Sequence, residues 1–472
     1  MKLKKEIKMS NLFSSIKKIH FVGIGGIGMS GIAEILVNQG FSVSGSDLNI
    51  SDNTKYLENL GVEVFYGHRK ENIQDSEVVV YSSAVKINEN PETSFAIENK
   101  IPLIRRAEML AEVSRLKYCL AVAGTHGKTT TTSMVSLALI NAGIDPTVVV
   151  GGRLRDFGGT NARLGKGDWT IVEADEYDRS FLQLLPTIAI INNIEAEHLD
   201  IYSDFDDIKS TFLEFANKVP FYGFIALGLD DGGVREIMGK LNKKVRTFGF
   251  SKHSDVRPIN VEYDKYATNC EVIIDNENVG KLSLNVPGMH NLKNALAAIT
   301  VANGLGVNFE IIAKSLKDFK GVYRRFELKG NYIKNDGQEI NALVFDDYAH
   351  HPSEVKATLQ AAKNGWNSRI IGVFQPHTFT RTKEHYKEFA QSFDDADIII
   401  ITDVYGAREE PIEGINGKLI SDATTKYGHK NVVYIPSIED VKIYLENIVK
   451  NDDVILTMGA GSIWKLSESL VK

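Results

Sequence analysis

The chain alternates short apolar runs with longer amphipathic segments over most of its length. The first series has an apolar run at residues 19–22, a glycine-rich turn, a helical pattern at 29–39 and a second apolar run at 41–44. Comparable runs, each ending in a polar or glycine-rich turn, recur as far as "DDVILTMGAGSI". Strands that alternate with helices predict parallel βαβ units, so the pattern indicates an α/β fold.

The same pattern restarts twice, which predicts three domains. A new strand, glycine turn and helix begin near Lys117 with "KYCLAVAGTHGKTTTT", and a third series follows "LKDFKGVYRRFE". We therefore expect domains at residues 1–117, 118–322 and 323–472. A chain of 472 residues is long enough for three, since a domain usually has about 100–200 residues.

Composition narrows the class of protein. The formal net charge is −7, with acidic and basic residues interspersed, which argues against a nucleic-acid binder. Neither Cys119 nor Cys270 has a partner at metal-ligand or redox-motif spacing, as is typical of a reducing compartment. The N-terminus lacks the apolar core of a signal peptide, and no apolar run is long enough to cross a bilayer. We expect a cytoplasmic protein that binds neither nucleic acid nor membrane.

The first glycine turn is predicted to bind a nucleotide diphosphate. Gly23, Gly25 and Gly28 form G-x-G-x-x-G between a strand and a helix, and Asp47 follows at the end of the next strand. Glycines let the backbone approach a diphosphate, and the helix N-terminus offers free N–H groups. Taken alone, the motif suggests a nicotinamide-dependent dehydrogenase, but a UDP-sugar suits the same turn. A tight turn without a ligand is the structural alternative.

The second glycine turn, "GTHGKTT", is predicted to bind a triphosphate. It lacks the early glycine of the usual G-x-x-x-x-G-K-[ST] loop, because Val122 stands at that position. It nevertheless lies between an apolar strand and a helix, where backbone N–H groups face phosphates. Lys128 supplies a positive charge, and the Thr129 hydroxyl is a ligand for Mg²⁺. A chance G-K-T in a loop is the alternative.

Polar residues after two apolar strands are candidates for the rest of a magnesium site. Glu173 ends the strand in "TIVEADEYD", and His198 follows the next strand in "AIINNIEAEHLD". The carboxyl ends of parallel strands face one ligand crevice, and oxygen ligands suit Mg²⁺. The alternative is that the acidic residues of "EADEYD" are solvated and that His198 is an ordinary loop histidine.

Further candidates lie around the start of the third domain. Asn291 and Asn294 are three residues apart at the start of a predicted helix, so their amides share one face; capping by Asn291 is the alternative. "YRRFE" supplies an arginine that could bind a γ-phosphate. "DDYAHHP" and "QPHTFTRT" add histidines and cations that suit an anionic substrate, although ordinary polar loops have similar sequences.

With these motifs in this order, the chain resembles the Mur ligase family. The resemblance rests on "GTHGKT", "GMHNLKNALAA", "RRFE" and "DDYAHHP", and it extends from "GIGGIGMSG" to "GAGSI" near the end. "GTHGKTTT" corresponds to the shortened phosphate loop of that family. The resemblance implies an N-terminal Rossmann-like domain that binds a UDP-sugar, a central P-loop ATPase-like domain, and a C-terminal Rossmann-like domain with ATP and amino-acid contacts.

Within the family, "DDYAHHPSE" and "QPHTFTRT" resemble the members that add L-alanine to UDP-N-acetylmuramate. The resemblance implies that ATP phosphorylates the lactyl carboxylate, that the amine of L-alanine attacks the acyl phosphate, and that ADP and phosphate leave. It implies Mg²⁺ as cofactor and a monomer or homodimer in peptidoglycan precursor synthesis. The alternatives are a member that recycles murein tripeptide, a dehydrogenase, and a non-catalytic nucleotide-binding regulator.

The resemblance also implies roles for particular residues. The catalytic group would be Lys128, Glu173, His198, Arg325 and Asp347, and the metal ligands would be Thr129, Glu173 and His198. ATP would be bound by Gly124, Thr125, His126, Gly127, Lys128, Thr129, Thr130, Asn291, Asn294, Arg325 and Asp347. The UDP-sugar would be bound by Gly23, Gly25, Gly26, Gly28, Asp47 and Ser83. The amino-acid side would be lined by His350, His377 and Arg381, although Thr378 stands where some members have an arginine.

Overall fold

The computed structural model describes residues 16–73, 75–82, 84–152, 155, 159–197 and 201–472. Over these residues the chain forms three sheets with helices between the strands, in a mixed α/β fold of three domains. The chain divides into two compact units. The first contains the described residues up to Arg257, with 273–277 and 294–315, and the second contains 258–272, 278–293 and 316–472.

The N-terminal sheet has five parallel strands in the order β3-β2-β1-β4-β5. The strands are β1 (Lys18–Val22), β2 (Ser42–Asp47), β3 (Glu63–Tyr66), β4 (Val78–Tyr81) and β5 (Leu103–Arg105). The helices are α1 (Ile27–Asn38), α2 (Asp52–Asn59), α3 (Pro91–Glu98) and α4 (Arg106–Arg115), with a 3-10 helix at Lys70–Ile73. The apolar run that predicted the first strand is β1, which is buried from its second residue onward.

The central domain places the strand of the second glycine turn in the middle of its sheet. The order is β12-β11-β10-β6-β9-β7-β8, and all pairs are parallel except β7 with β8. The strands are β6 (Tyr118–Ala123), β7 (Thr147–Val149), β8 (Ala162–Arg163), β9 (Trp169–Glu173), β10 (Ile188–Ile191), β11 (Phe224–Gly228) and β12 (Val245–Phe248). The helices are α5 (Lys128–Asn141), α6 (Phe205–Asn217) and α7 (Gly232–Met238), with a 3-10 helix at Tyr177–Gln183.

Three longer strands and two helices follow along the chain. They are β13 (Val256–Asp264), β14 (Ala267–Ile274), β15 (Glu277–Leu284), α8 (Met289–Gly304) and α9 (Phe309–Lys317). The three strands lie side by side in chain order. The helix that the sequence predicted around Asn291 and Asn294 is α8.

One hydrophobic core is shared by the N-terminal and central sheets. Its buried members include Phe21 of β1 and Val172 of β9. Outside the core, the side-chain amide of Asn161 donates a hydrogen bond to the carbonyl oxygen of Ile27, at the first turn of α1. A Cβ atom on Gly31 of α1 would lie 2.8 Å from the same amide, so the glycine permits this close approach. The two glycine turns are therefore held within one compact unit.

The C-terminal sheet has the order β16-β17-β21-β18-β19-β20, and only β16 is antiparallel to its neighbour. The strands are β16 (Glu327–Ile333), β17 (Glu339–Asp347), β18 (Ile370–Phe374), β19 (Ile398–Ile401), β20 (Val432–Tyr434) and β21 (Val454–Met458). The helices are α10 (Pro352–Gly365), α11 (Phe379–Ala390), α12 (Gly417–Tyr427), α13 (Ile438–Ile448) and α14 (Trp464–Ser469). The loops after β17 and β18 carry the predicted histidines.

Among the described residues, no helix has both the length and the apolar character needed to cross a bilayer.

Candidate active site

The second glycine turn connects β6 to α5 and needs glycine at both of its ends. Gly124 has φ +135° and Gly127 has φ +80°, in the region that side chains rarely adopt. Gly127 is the N-cap of α5, and the first turn of this helix carries no acidic side chain. The amide N–H groups of that turn are therefore available to an anion. Position 122, where the usual loop has its early glycine, is here a buried residue of β6, and the positive φ angles fall at Gly124 and Gly127.

Lys128, the first residue of α5, is held by a buried carboxylate. Its Nζ lies 2.7 Å and 2.8 Å from the two carboxylate oxygens of Glu176, and it also donates to the carbonyl oxygens of Gly124 and Thr125. Burial lowers the pKa of Lys128, but the carboxylates of Glu176 and Asp175 more than offset this and raise it. The turn therefore contains a lysine that stays charged. Glu176 is only 2% exposed, so the alternative that it is a solvated loop residue is wrong.

Thr129 and Glu173 meet beside this lysine. The Thr129 hydroxyl lies 3.0 Å from each oxygen of the Glu173 carboxylate, which also accepts from the amide of Gly151 at 2.8 Å. They come together because β6 and β9 are parallel neighbours, with Val122 opposite Glu173. A hydroxyl and a carboxylate are hard oxygen donors, so this pair fits Mg²⁺. His198, the third predicted metal ligand, lies outside the described residues.

Two asparagines at the end of β10 support the same turn, and the sequence analysis did not single them out. The Asn193 amide oxygen accepts from the backbone N–H of His126 at 2.8 Å, and the Asn192 amide donates to the Thr131 hydroxyl at 3.0 Å. The available signal was their position: they directly follow an apolar strand, and β10 is the other neighbour of β6.

Other side chains predicted to bind ATP are buried or hydrogen-bonded within the protein. The Thr125 hydroxyl accepts from the backbone N–H of Glu195 at 2.8 Å, and Thr130 is buried in the first turn of α5. The Asn294 amide oxygen accepts from the Thr131 hydroxyl at 3.1 Å, next to Gly127. In the second unit, the Asn291 amide donates to the carbonyl oxygen of Pro287 at 2.7 Å.

The first glycine turn connects β1 to α1 and is organised by an acid instead of a lysine. The Asp47 carboxylate, at the end of β2, accepts from the Gly25 amide at 2.9 Å. A Cβ atom on Gly25 would lie 2.8 Å from Asp47, and one on Gly28 would lie 2.8 Å from the Arg106 guanidinium. Gly26 is the N-cap of α1, whose first turn also lacks acidic side chains. Ser83, predicted to contact the same ligand, lies outside the described residues.

Two adjacent arginines at the start of the C-terminal domain have different partners. Arg324 pairs with the buried Asp346 at 2.9 Å and donates to the carbonyl oxygen of Gly459. Arg325 instead reaches Glu354 of α10, with 3.2 Å between Nη1 and Oε1. Glu354 was not predicted from the sequence as a functional residue, although it lies in the segment "DDYAHHPSE".

Asp347, at the end of β17, lies beside these arginines and accepts backbone hydrogen bonds. The N–H groups of Phe326 and Ala349 each donate to its carboxylate at 2.8 Å. Burial raises the pKa of Asp347 to about 6, although the positive charge of Arg325 opposes that shift.

The predicted amino-acid side brings three residues together after β17 and β18. The rings of His350 and His377 lie edge to face with centroids 5.9 Å apart, and Nη1 of Arg381 donates to the carbonyl oxygen of His377 at 3.3 Å. Thr378 has a different partner, since its hydroxyl donates to the Glu409 carboxylate at 2.6 Å. Glu409 also accepts from the backbone N–H of Thr380 at 2.9 Å, so it caps α11, and the sequence analysis missed this role.

Three protein-family models match successive parts of the chain. They are "Mur ligase family, catalytic domain" at residues 18–118, "Mur ligase middle domain" at 122–302, and "Mur ligase, glutamate ligase domain" at 324–461.

Individual proteins resemble the chain over nearly its whole length. The UDP-N-acetylmuramate–L-alanine ligase of Geotalea uraniireducens is 50% identical over 461 residues, which is 98% of this chain and 99% of that protein. The corresponding ligase of Salinibacter ruber is 47% identical, covering 99% and 97%.

Among solved structures, the UDP-N-acetylmuramate-alanine ligase of Thermotoga maritima has a TM-score of 0.79 at 30% identity, covering 96% of this chain and 98% of that one. A murein peptide ligase of Psychrobacter arcticus has a TM-score of 0.68 at 26% identity, covering 97% and 100%.

Proposed function

Because the chain belongs to the Mur ligase family, we propose that it joins L-alanine to the lactyl carboxylate of UDP-N-acetylmuramate, with ATP as the source of energy. The observation that carries this proposal is the 50% identity, over almost the full length of both chains, to proteins named for that activity. The product, UDP-N-acetylmuramoyl-L-alanine, is a precursor of peptidoglycan. We place the reaction in the cytoplasm and expect a monomer or homodimer.

The reaction requires activation of a poor acylating agent. A carboxylate does not react with an amine until an oxygen is converted into a leaving group, so ATP first transfers its γ-phosphoryl group to form an acyl phosphate. Bringing a carboxylate up to a triphosphate is opposed by charge, and fixed positive groups offset that repulsion. Lys128 is such a group, since nearby carboxylates keep it protonated.

The central domain would hold the triphosphate at residues 124–130. The backbone N–H groups at the start of α5 would bind phosphate oxygens, and Lys128 would contact the β- and γ-phosphates. Thr129, Glu173 and His198 would hold Mg²⁺, and the fit of the first two rests on the oxygen pair described above. When bound, Mg²⁺ supplies further positive charge at the phosphates.

The other two domains would bring the reacting partners. Residues 1–117 would hold the UDP-sugar on the first glycine turn, with Asp47 and Ser83 facing the uridine diphosphate. Residues 323–472 would contribute Arg325 and Asp347 to ATP, and His350, His377 and Arg381 to the amino acid. With Thr378 bound to Glu409, Arg381 is the cation we assign to the carboxylate of L-alanine.

Phosphate release by the purified chain tests this function. The assay contains ATP, Mg²⁺ and UDP-N-acetylmuramate and compares L-alanine, L-serine, glycine and murein tripeptide as the acceptor amine. We expect L-alanine to give the highest kcat/KM. A preference for murein tripeptide would instead identify a recycling enzyme, and release that does not depend on an amine would contradict ligation.

A further inference from the structure

The surroundings of His350 determine which nitrogen of its ring carries a proton. Nδ1 lies 2.9 Å from the carbonyl oxygen of Tyr348 and 3.2 Å from Oε2 of Glu354. Both of these atoms only accept hydrogen bonds, so Nδ1 must be the donor. In the neutral ring, the lone pair is therefore on Nε2, which is the nitrogen that can take up a proton.

Glu354 holds this ring from the first turn of α10. Oε2 of Glu354 also accepts from the backbone N–H of His350 at 3.1 Å, and Oε1 accepts from Nη1 of Arg325 at 3.2 Å. With 11% of its side chain exposed, the carboxylate is fixed on both sides. The Tyr348 carbonyl oxygen accepts the Nδ1–H hydrogen bond and orients the ring, and a carboxylate 3.2 Å away stabilises the imidazolium that forms when Nε2 accepts a proton. The same arrangement supports histidine bases in other enzymes.

The neighbouring His377 provides a second, independent sign of a polar ligand. Its Nδ1 is buried and has no hydrogen-bond partner within the described part of the chain. Burial, helped by the nearby His350 and Arg381, lowers the pKa of His377 to about 4, so this ring is neutral near pH 7. A buried polar atom without a partner is costly, and a polar substrate group would satisfy it.

We propose that His350 is the general base for the amine of L-alanine, acting through Nε2, and that Glu354 is its positioning residue. This inference rests on the proposed function, because it concerns the second half of that reaction. Every group that carries it belongs to the C-terminal domain: Glu354 on α10, Tyr348 in the same loop as His350, His377 after β18, and the arginines beside them.

The proton and bond changes are as follows. His350 Nε2 takes one proton from the ammonium group of L-alanine, which leaves a neutral amine. The amine nitrogen bonds to the carbonyl carbon of the acyl phosphate, and the carbon–oxygen bond to phosphate then breaks with its electron pair leaving on phosphate. A second proton passes from nitrogen to the departing phosphate. His350 returns its proton to solvent.

The experiment compares two nucleophiles on His350→Gln. L-Alanine is mostly an ammonium ion near pH 7 and needs a base, whereas hydroxylamine is mostly neutral there and traps acyl phosphates as hydroxamates without one. We expect the variant to lose L-alanine ligation by about 10²–10⁴-fold, as is typical of a lost general base, and to keep most of its hydroxamate formation. His253→Gln, which changes an exposed histidine elsewhere, should leave both rates unchanged.

The pH dependence of kcat/KM and the activities of Glu354 variants provide two further tests. Neither would change in the expected way if His350 had a purely structural role. In His350→Gln, kcat/KM for L-alanine should rise about tenfold per pH unit while the amino acid is mostly an ammonium ion, following the neutral amine. The wild type should lack this slope at the same pH values, because the enzyme supplies the base. Glu354→Gln should show a smaller loss with L-alanine, and Glu354→Asp should restore part of it.

Two results would overturn the inference. One is full L-alanine ligation by His350→Gln, and the other is an equal loss of ligation and hydroxamate formation, which would place His350 in acyl-phosphate formation. Failure of the proposed function is distinguishable, since the wild type itself would then release no phosphate with L-alanine.

Discussion

The two glycine turns of the first compact unit share a backbone design and differ in the side chains around it. Each follows a buried parallel strand, each ends in a glycine N-cap, and each opens a helix whose first turn lacks acidic residues. At the first turn an acid, Asp47, bonds to a backbone N–H. At the second turn a lysine, Lys128, is surrounded by carboxylates, and Thr129 meets Glu173.

This difference separates what the backbone does from what the side chains do. Free N–H groups at a helix start suit any phosphate, so both turns can bind a nucleotide. Transfer of a phosphoryl group needs more, because charge has to be neutralised while bonds change. The first turn has the Arg106 guanidinium beside Gly28, whereas the second turn combines a buried lysine with the Thr129 and Glu173 oxygens. We therefore assign binding to the first and chemistry to the second.

The largest effect is expected from Lys128→Ala. Removing the charged group should lower kcat by about 10³-fold, because transition-state charge then lacks its partner. Binding of UDP-N-acetylmuramate, measured by calorimetry on the folded variant, should not change. Lys166→Ala, at an exposed loop position in the same domain, is the control. Loss of UDP-sugar binding in Lys128→Ala would mean that the two turns do not act separately.

A smaller effect is expected from Glu173→Gln. The amide keeps the shape of the side chain but loses the negative charge that suits a divalent cation. The Mg²⁺ concentration for half-maximal rate should rise by about 10–100-fold, the range typical of groups that support a bound metal. Asp168→Asn, at an exposed position before β9, should leave the Mg²⁺ dependence unchanged. An unchanged titration for Glu173→Gln would remove Glu173 from the metal site.

Asp47→Ala tests the first turn in the same way. It removes the carboxylate at the Gly25 amide, and we expect UDP-N-acetylmuramate to bind about 1.5 kcal/mol more weakly, which is about tenfold in Kd. The KM for ATP should stay the same. Asp75→Ala, at an exposed position in the same domain, serves as a comparison. Equal weakening of both nucleotides would contradict the assignment of the first turn to the UDP-sugar.

The smallest effect on activity is expected at Glu34, in the helix that follows the first turn. Glu34 is 7% exposed and accepts from the Tyr56 hydroxyl at 3.1 Å; burial raises its pKa to about 7, although that hydrogen bond opposes the shift. The folded state therefore binds a proton more tightly than the unfolded state, whose glutamate pKa is about 4.3. The stability from this group is present below that value and is lost as pH rises toward 7.

The measurement is thermal unfolding of Glu34→Gln across this pH range. Between about pH 4.5 and 7, the free energy of unfolding should fall in the wild type and stay nearly constant in the variant. Above pH 7, the variant should be more stable than the wild type by on the order of 2–3 kcal/mol. The helix after the second turn has no acidic residue, so no such dependence is expected there. Ligation should be unaffected, and an unchanged pH dependence would show that Glu34 is solvated.

The sequence predicted much of the fold because its elements carry local patterns. The buried run at β1 and the strand, turn and helix around Lys128 were visible as periodicity and glycine spacing. The meeting of Thr129 and Glu173 agrees with the strand pattern, because Glu173 ends β9 and Thr129 lies just after the turn at the carboxyl end of the parallel neighbour β6. Those predictions needed only the rule that such ends share one edge.

The environment of Glu176 could not be predicted in this way. In sequence it lies among acidic neighbours that resemble a solvated loop, yet its carboxylate is buried against Lys128 and its carbonyl oxygen accepts from the Tyr202 hydroxyl at 2.6 Å. The roles of Glu354 and Glu409 could not be predicted for the same reason, because each carboxylate binds a partner that another loop supplies. The burial of an acidic side chain depends on packing between segments that are distant along the chain, and a single sequence does not reveal those contacts.

The core shared by the N-terminal and central sheets also has a consequence for substrate choice. If the uridine of UDP-N-acetylmuramate is anchored to one sheet and ATP to the other, the distance between the two sites is set by packed side chains and not by a hinge. The enzyme would then select its acid substrate by the distance between the uridine and the reacting carboxylate. An analogue whose carboxylate extends one methylene further from the sugar would bind by its uridine but miss the phosphoryl group.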